Sequence, residues 1–236
     1  MEMRQQLYEG KAKRVYATDD PNYVIVEYKD DATAFNGLKK GTIAGKGVVN
    51  NRMSNLLFGY LADNGIPTHL VKELDERHTL VKHVKIVPLE VIVRNIAAGS
   101  FSKRFGVAEG TYLANPTIEF SYKNDELGDP MINTSQALAL RLATSEQIET
   151  IRTMALRINE LMRKFFLERG LILVDYKLEF GLFDGKIVLA DEISPDTCRL
   201  WDVNTREKLD KDRFRRDMGG VEDAYSEVYH RMGLDK

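Results

Sequence analysis

Apolar positions along this chain follow two periods. Near the start, Arg14-Val15-Tyr16-Ala17 and Tyr23-Val24-Ile25-Val26-Glu27-Tyr28 are short apolar runs separated by the polar turn Asp19-Asp20-Pro21-Asn22, which predicts strands within Leu7 to Tyr28. From about Ala44 to Asp63 the period changes. Val49, Met53, Leu56, Leu57, Tyr60 and Leu61 take helical spacing, and Asn64-Gly65 followed by Pro67 closes the helix. Strand patterns return at His69-Leu70-Val71, at Thr79-Leu80-Val81 and from Val84 to Val93. The polar pair Lys82-His83 is a candidate hinge, dividing a β-rich lobe over 1–82 from an α+β lobe over 83–236. A long helix is predicted from Thr144, where Thr144 and Gln147 have capping-box spacing. Ile148, Ile151, Met154, Ile158, Leu161 and Phe165 form its apolar stripe, and Gly170 ends it. At about 25 residues it would span roughly 37 Å. From about Asp210 the chain reads as helical, with a break at Gly219-Gly220. This order of elements is α+β, not an alternating parallel α/β pattern.

One stretch departs from ordinary core patterning. Four apolar residues, Leu171 to Val174, run directly into Asp175-Tyr176-Lys177-Leu178-Glu179. On a strand, Asp175, Lys177 and Glu179 project from one face. A core strand with acid, base and acid in a row holds charge where water is scarce. The next strand, Val188-Leu189-Ala190, leads into Asp191. Two carboxylates on neighbouring strands with a lysine beside them suit a divalent metal and phosphate oxygens. Without a metal, Glu179 and Asp191 would repel each other, which predicts a raised pKa for at least one. A two-residue Asp184-Gly185 turn gives the other reading. It pairs Glu179 with Ala190 and Lys177 with Glu192, and turns Asp191 to the opposite face. A shared metal therefore requires an odd loop or a bulge between Gly181 and Asp191.

Three further segments carry candidate chemistry. Gly10-Lys11-Ala12-Lys13 precedes a strand and suits either phosphate binding by turn amides and lysines or a solvated hairpin turn. Arg94 ends a strongly apolar strand, and Ala98-Gly99-Ser100 follows, with Ser100 placed to cap a short helix running to Arg104. That is either an anion site with an arginine fork or a plain capped helix. Ser194-Pro195-Asp196-Thr197-Cys198-Arg199 reads as a loop leaving a core strand. Asp196 and Arg199 either pair with each other or hold a sugar hydroxyl and a phosphate.

Composition narrows the classes. The 236 residues are 43% hydrophobic and 30% charged, enough for one large or two modest globular domains. The single cysteine, Cys198, rules out an internal disulfide and suits a reducing cytoplasm. His69, His78, His83 and His230 show no metal spacing. A net charge of −2 argues against a general nucleic-acid surface. The polar first residues and the absence of a long apolar run argue against a signal peptide and a membrane span.

The segments occur together in one family. Ile86-Val87-Pro88-Leu89-Glu90-Val91-Ile92-Val93-Arg94 with Ala98-Gly99-Ser100 closely resembles one motif of the SAICAR synthetases. Leu173 to Gly181 resembles their second motif. Tyr8 to Lys13, Tyr122 to Pro130 and Asp191 to Asp196 are similar to further family segments, in family order from residue 8 to about 217. The resemblance implies a fold related to the ATP-grasp ligases, with a β-rich lobe over a larger α+β lobe and ATP in the cleft. It implies a cytoplasmic, homodimeric enzyme of purine synthesis that uses ATP and Mg2+ to join L-aspartate to carboxyaminoimidazole ribonucleotide (CAIR). By motif match, Gly10, Lys11, Ala12, Lys13 and Lys123 would meet ATP phosphates, and the backbone near Lys82 and Val84 the adenine. Glu179 and Asp191 would hold magnesium. Arg94, Ser100 and Arg199 would grip the nucleotide's phosphate, with Asp196 near its ribose and Asp129, Lys211 and Arg215 also on substrate. Asp175 and Lys177 would line the reacting centre. A small-molecule kinase and a non-catalytic nucleotide binder are the rival readings. The ligase alone needs an amine, and a binder has no use for charge on a core strand.

Overall fold

Antiparallel ladders organise the chain, and the computed structural model describes residues 1–34 and 38–235. Strands β1 (Met3–Glu9), β2 (Lys13–Thr18) and β3 (Tyr23–Tyr28) form a meander, and β4 (Asp31–Ala34) pairs with β5 (Lys39–Thr42). Helix α1 (Lys46–Asp63) follows, then β6 (Leu70–Glu73) and β7 (His78–Lys82), which complete a sheet in the order β1-β2-β3-β7-β6. A second sheet begins with β8 (Lys85–Ile96). After the short helix α2 (Gly99–Phe105) come β9 (Tyr112–Tyr122), β10 (Met131–Ile132), and helices α3 (Thr134–Ala139) and α4 (Ser145–Leu167). Strands β11 (Leu171–Phe183), β12 (Lys186–Ala190) and β13 (Cys198–Asp202) close this sheet in the order β10-β9-β8-β11-β12, with β13 also on β11. Helices α5 (Asp212–Arg215) and α6 (Val221–Arg231) end the chain.

The long helix begins as its sequence predicts. The Gln147 amide donates to Thr144 Oγ1 at 3.1 Å and the Thr144 amide donates to Gln147 Oε1 at 2.9 Å, a complete capping box. Its stripe packs on the second sheet. Ile151, Ala155, Ile158 and Met162 share one apolar cluster with Val87, Leu89, Val91 and Val93 of β8 and Tyr176, Leu178 and Phe180 of β11. The alternate residues of those strands, Glu90 and Arg94 on β8 and Asp175, Lys177 and Glu179 on β11, are left for the opposite face.

That division depends on one extra residue. On β11, Leu173 pairs with Leu200, but Asp175 pairs with Arg199, so Val174 has no counterpart on β13. Leu171 and Leu173 lie in the core before this bulge, whereas Tyr176, Leu178 and Phe180 do so after it. An unbulged strand would place Asp175, Lys177 and Glu179 on the same side as Leu171 and Leu173.

The β11–β12 turn is the two-residue Asp184-Gly185 form, with Glu179 opposite Ala190 and Phe183 opposite Lys186. The expected odd loop or bulge between Gly181 and Asp191 is therefore absent from this hairpin. Asp191 leaves the ladder at once, in the left-handed region with φ 63°, which frees its side chain from strand alternation. Two other expectations also change. Ala98, in extended conformation, is the N-cap of α2, so Ser100 lies inside the helix and its hydroxyl serves Arg94 instead. Arg199 lies on a strand, not a loop, because Cys198–Asp202 completes the edge of β11 beyond β12. The eleven-residue β9 was not predicted; its Asn115-Pro116 pair interrupts the apolar pattern.

The two sheets are stitched beside β12. The His69 amide donates to Leu189 O at 2.8 Å, and the Leu189 amide to Pro67 O at 2.8 Å. The Lys82 amide donates to His69 O at 2.8 Å, after which His83 and Val84 carry the chain from β7 to β8. Gly181 lets that crossing lie close to β11, since a Cβ there would stand 2.5 Å from Val84 Cγ2. Gly181→Ala should lower unfolding free energy by roughly 1–3 kcal/mol through overpacking. Urea denaturation measures this, and a midpoint equal to the parent's would show that Val84 can move freely.

Candidate active site between the two sheets

Two cavities meet on the charged face of β8 and β11. One, of about 430 Å³, has apolar walls from Val15, Val26, Val81, Val84 and Ile86, and a charged floor that includes Lys13, Lys123, Glu179 and Asp191. The other, of about 380 Å³, is cationic, with Arg94, Arg199, Lys211 and Arg215 around Asp175 and Asp196. Lys11, Ala12, Glu90, Lys177 and Glu192 line both.

Lys177 stands at the junction. Its ammonium lies 2.5 Å from Glu179 Oε1, 3.3 Å from Asp191 Oδ2 and 3.5 Å from Glu90 Oε1. Glu179 is 3% exposed and also accepts from Lys123 at 2.9 Å. Lys13 is hydrogen-bonded to Asp191 and lies 3.2 Å from Glu192. Glu179 and Asp191 thus converge on one cation, despite the turn register that would separate them. Burial pushes the Asp191 carboxyl up, but Lys13 and Lys177 outweigh it, so its pKa falls well below the usual carboxylate range. The raised pKa expected from carboxylate repulsion is therefore not found at Asp191, because lysines intervene. Burial disfavours the Lys177 ammonium, yet Glu179, Asp191 and Glu90 hold its pKa well above the ordinary value. Glu90 itself is raised, chiefly by burial and partly by Glu179, against the pull of Lys177.

The donor set fits magnesium of the kind held jointly by protein and phosphate. Such an ion takes one or two carboxylates and fills its shell with phosphate oxygens and water. Two carboxylates converge here, and among the described residues no cluster of three or more His, Cys, Asp or Glu could hold a metal alone.

The cationic cavity is held by a chain of charge. Arg94 is 4% exposed; it donates from Nε to Glu119 at 2.7 Å, from Nη1 to Asp175 at 2.7 Å and from Nη2 to Ser100 Oγ at 3.1 Å. Arg199 donates from Nη1 to both oxygens of Asp175 at 3.0 Å and from Nε to Asp212 at 2.9 Å. Arg215 donates to Asp212 at 2.7 Å. Gly99 allows this arrangement: its φ is 52°, and a Cβ would lie 2.3 Å from Arg199 Nη2. Arg94, Ser100 and Arg199 are therefore brought together. Asp196 and Arg199 are not paired; Asp196 accepts from Lys46, Lys211 and Tyr225.

Other sequence candidates occupy the apolar-walled side. Gly10, Lys11 and Ala12 form the β1–β2 turn, with the Gly10 amide donating to Lys13 O at 2.8 Å, and Lys11 reaches Asp125 at 2.6 Å. The segment is a hairpin turn, as one of the two readings has it, and its Lys13 points inward to Asp191. Lys82 donates to Thr68 O at 3.0 Å, and Val84 lines the wall. Asp129 lines this cavity, not the cationic one, and accepts from the Asn124 amide at 2.9 Å. Sequence reasoning missed Lys46, Glu119, Glu192, Asp212 and Tyr225. It missed Glu90 as well, although Glu90 shares the face of Arg94 at four residues' distance on a strand.

The site thus combines an apolar-walled cavity, inward-pointing lysines, two converging carboxylates and an adjoining cationic basin. The family model described as SAICAR synthetase matches residues 6–232. The phosphoribosylaminoimidazole-succinocarboxamide synthase of Lachnoclostridium phytofermentans is 62% identical over 235 residues, covering 100% of both chains. The crystal structure of the synthase from Ehrlichia chaffeensis superposes with a TM-score of 0.96 at 47% identity, covering 98% of this chain and 100% of that one. A SAICAR synthetase in complex with ADP superposes with a TM-score of 0.94 at 47% identity, covering 100% and 99%.

His69 closes the back of the apolar-walled cavity. It packs edge-on against Phe58 at 5.0 Å, and its Nδ1 has no hydrogen-bond partner among the described residues. Burial and then Lys13 push its pKa down from 6.5 to about 3. The unfolded chain therefore binds a proton that the folded protein refuses between these values. The resulting stability is complete above pH 6.5 and is lost as pH falls toward 3. Between about pH 6 and pH 4 the parent should lose stability faster than His69→Gln by roughly 1 kcal/mol per pH unit. Equal slopes in pH-dependent denaturation would show that His69 titrates normally when folded.

Proposed function

The chain belongs to the SAICAR synthetase family and is an ATP-dependent ligase that joins L-aspartate to the carboxylate of CAIR, and we propose that the two adjoining cavities divide its substrates. ATP occupies the apolar-walled cavity, with adenine near Lys82 and Val84 and phosphates toward Lys11, Lys13 and Lys123. CAIR occupies the cationic cavity, its phosphate at Arg94, Ser100, Arg199 and the side of Lys211 and Arg215, and its ribose near Asp196. Its carboxylate points to Lys177, where the cavities meet. The observation that carries this reading is the shared wall of Lys177 and Glu90, which puts the end of one ligand beside the end of the other.

A carboxylate is a poor acyl donor because oxide is a poor leaving group. One carboxylate oxygen of CAIR attacks the γ-phosphorus of ATP, ADP leaves, and an acyl phosphate results. The aspartate amine then attacks the acyl carbon, the amide forms, inorganic phosphate leaves and the amine proton is released. Lys177 neutralises the approach of two anions, and the lysines of the β1–β2 turn hold the phosphates in line. Asp175 fixes Arg94 and Arg199, two of the basin's three arginines. Mg2+ would sit at Glu179 and Asp191 and there supply charge neutralisation for the transferring phosphoryl group.

We also read the two sheets as lobes divided between residues 82 and 83, the enzyme as cytoplasmic, with its lone Cys198 buried and reduced, and the assembly as a homodimer. The exposed edge strand β1, which carries Met3, Leu7 and Tyr8, supports self-association. Partners beyond the small-molecule substrates are not invoked: no nucleic acid, and no membrane.

Sustained ADP release should require ATP, CAIR, aspartate and magnesium together. Glu179→Gln should reduce it about a hundredfold or more while near-ultraviolet circular dichroism stays that of the parent. Release that continues without an amine would indicate a kinase or hydrolase instead. Lys13→Ala should raise KM for ATP about tenfold and KM for CAIR less than about twofold, as loss of a charged phosphate contact predicts. Equal ATP affinity in variant and parent would remove Lys13 from the phosphate site.

A further inference from the structure

The cationic cavity contains one carboxylate whose donors come from three distant parts of the chain. Asp196, on the loop between β12 and β13, forms part of the cavity wall. Its Oδ2 accepts from Lys46 Nζ at 2.8 Å and from Lys211 Nζ at 3.3 Å, and its Oδ1 accepts from Tyr225 Oη at 2.5 Å. Lys46 is the first residue of α1 and has no solvent exposure; Tyr225, on α6, is 1% exposed. A helix N-terminus is an unfavourable place for a buried ammonium, because the helix dipole already presents positive charge there. Complete burial adds a desolvation cost that only pairing offsets. Among the described residues, the one polar partner of this side chain is Asp196.

A carboxylate offers about four lone-pair sites. Among the described residues three are filled, two on Oδ2 and one on Oδ1. Lys46 and Lys211 already neutralise the charge, so the remaining site suits a neutral donor better than another cation. Burial, and then Asp196, raise the Tyr225 pKa well above its ordinary value, so the phenol remains a donor. We propose that Lys46 and Tyr225 are positioning residues that clamp Asp196, so that its one open acceptor site takes a single sugar hydroxyl of the imidazole nucleotide. This rests on the reading that Asp196 meets that nucleotide. The clamp makes Asp196 a specificity element: a site built to accept one hydroxyl discriminates against a nucleotide that lacks it.

Steady-state kinetics on the intact enzyme test the clamp, using Lys46→Met, Tyr225→Phe, Asp196→Asn and the paired combinations. Lys46→Met and Tyr225→Phe should each raise KM for CAIR about tenfold while kcat and KM for ATP stay within about twofold. Each should add little on top of Asp196→Asn. The parent should reject a deoxyribose analogue of CAIR more strongly than either single variant does. A merely structural role would lower thermal stability, move both KM values together, add to Asp196→Asn and leave the analogue's rejection unchanged; that pattern overturns the proposal. Tyr225→Phe, which leaves the charges intact, decides the matter if Lys46→Met does not fold. If Asp196→Asn leaves KM for CAIR at the parent value, the underlying nucleotide reading fails. If Asp196→Asn raises it but Lys46→Met and Tyr225→Phe do not, only the clamp fails.

Discussion

A strand has two faces, and β11 must use both under conflicting demands. One side has to complete the apolar core beneath α4, while the other has to present Asp175, Lys177 and Glu179 to the cavities. The extra residue at Val174 reconciles them by shifting alternation between Leu173 and Tyr176. Without that shift the charged row would face the same side as Leu171 and Leu173, where its desolvation would have no compensating partners. Pairing with β8 then fixes the rest. Asp175 lies opposite Arg94 and Glu179 opposite Glu90, so one register sets both the arginine basin and the lysine–carboxylate junction.

The charges at the junction are interleaved. Lys13, Lys123 and Lys177 lie among Glu90, Glu179, Asp191 and Glu192, and each carboxylate has a cation near it or is pushed toward protonation. This explains why Asp191 is depressed: two ammoniums outweigh its burial. The same lysines are suited to exchange carboxylate partners for phosphate oxygens, a preorganised electrostatic environment in which the protein dipoles need little rearrangement. His69 is held neutral chiefly by its burial, with Lys13 adding to the effect, and so adds no further positive charge when folded.

Helices far from the charged strands also reach the site. α1 contributes Met53, Leu57, Phe58 and Leu61 to the main core, while Val49 of the same helix packs with Val221 and Tyr225 of α6. Its first residue, Lys46, and Tyr225 both end on Asp196. Packing of the chain's last helix is thereby tied to the geometry of the cationic cavity.

Much of the molecule was legible in the residues alone. Long segments with a clear period, α1, α4, β2, β3 and β8, could be read because burial on one face imposes that period directly. The capping box at Thr144 and the Asp184-Gly185 turn are local chemistry and appear as their sequences specify. The charged row of β11 and the convergence of Arg94, Ser100 and Arg199 followed from alternation and from family motifs. Tertiary structure decided what depends on a partner strand or a distant side chain. Strand β13 exists because β11 offers an edge beyond β12, and β9 because β8 offers its other edge. Asp191 faces Glu179 through its own left-handed backbone, which no alternation rule contains. Lys46 gave no local signal, because a lysine beginning a helix looks solvated until the fold places a carboxylate from 150 residues away against it.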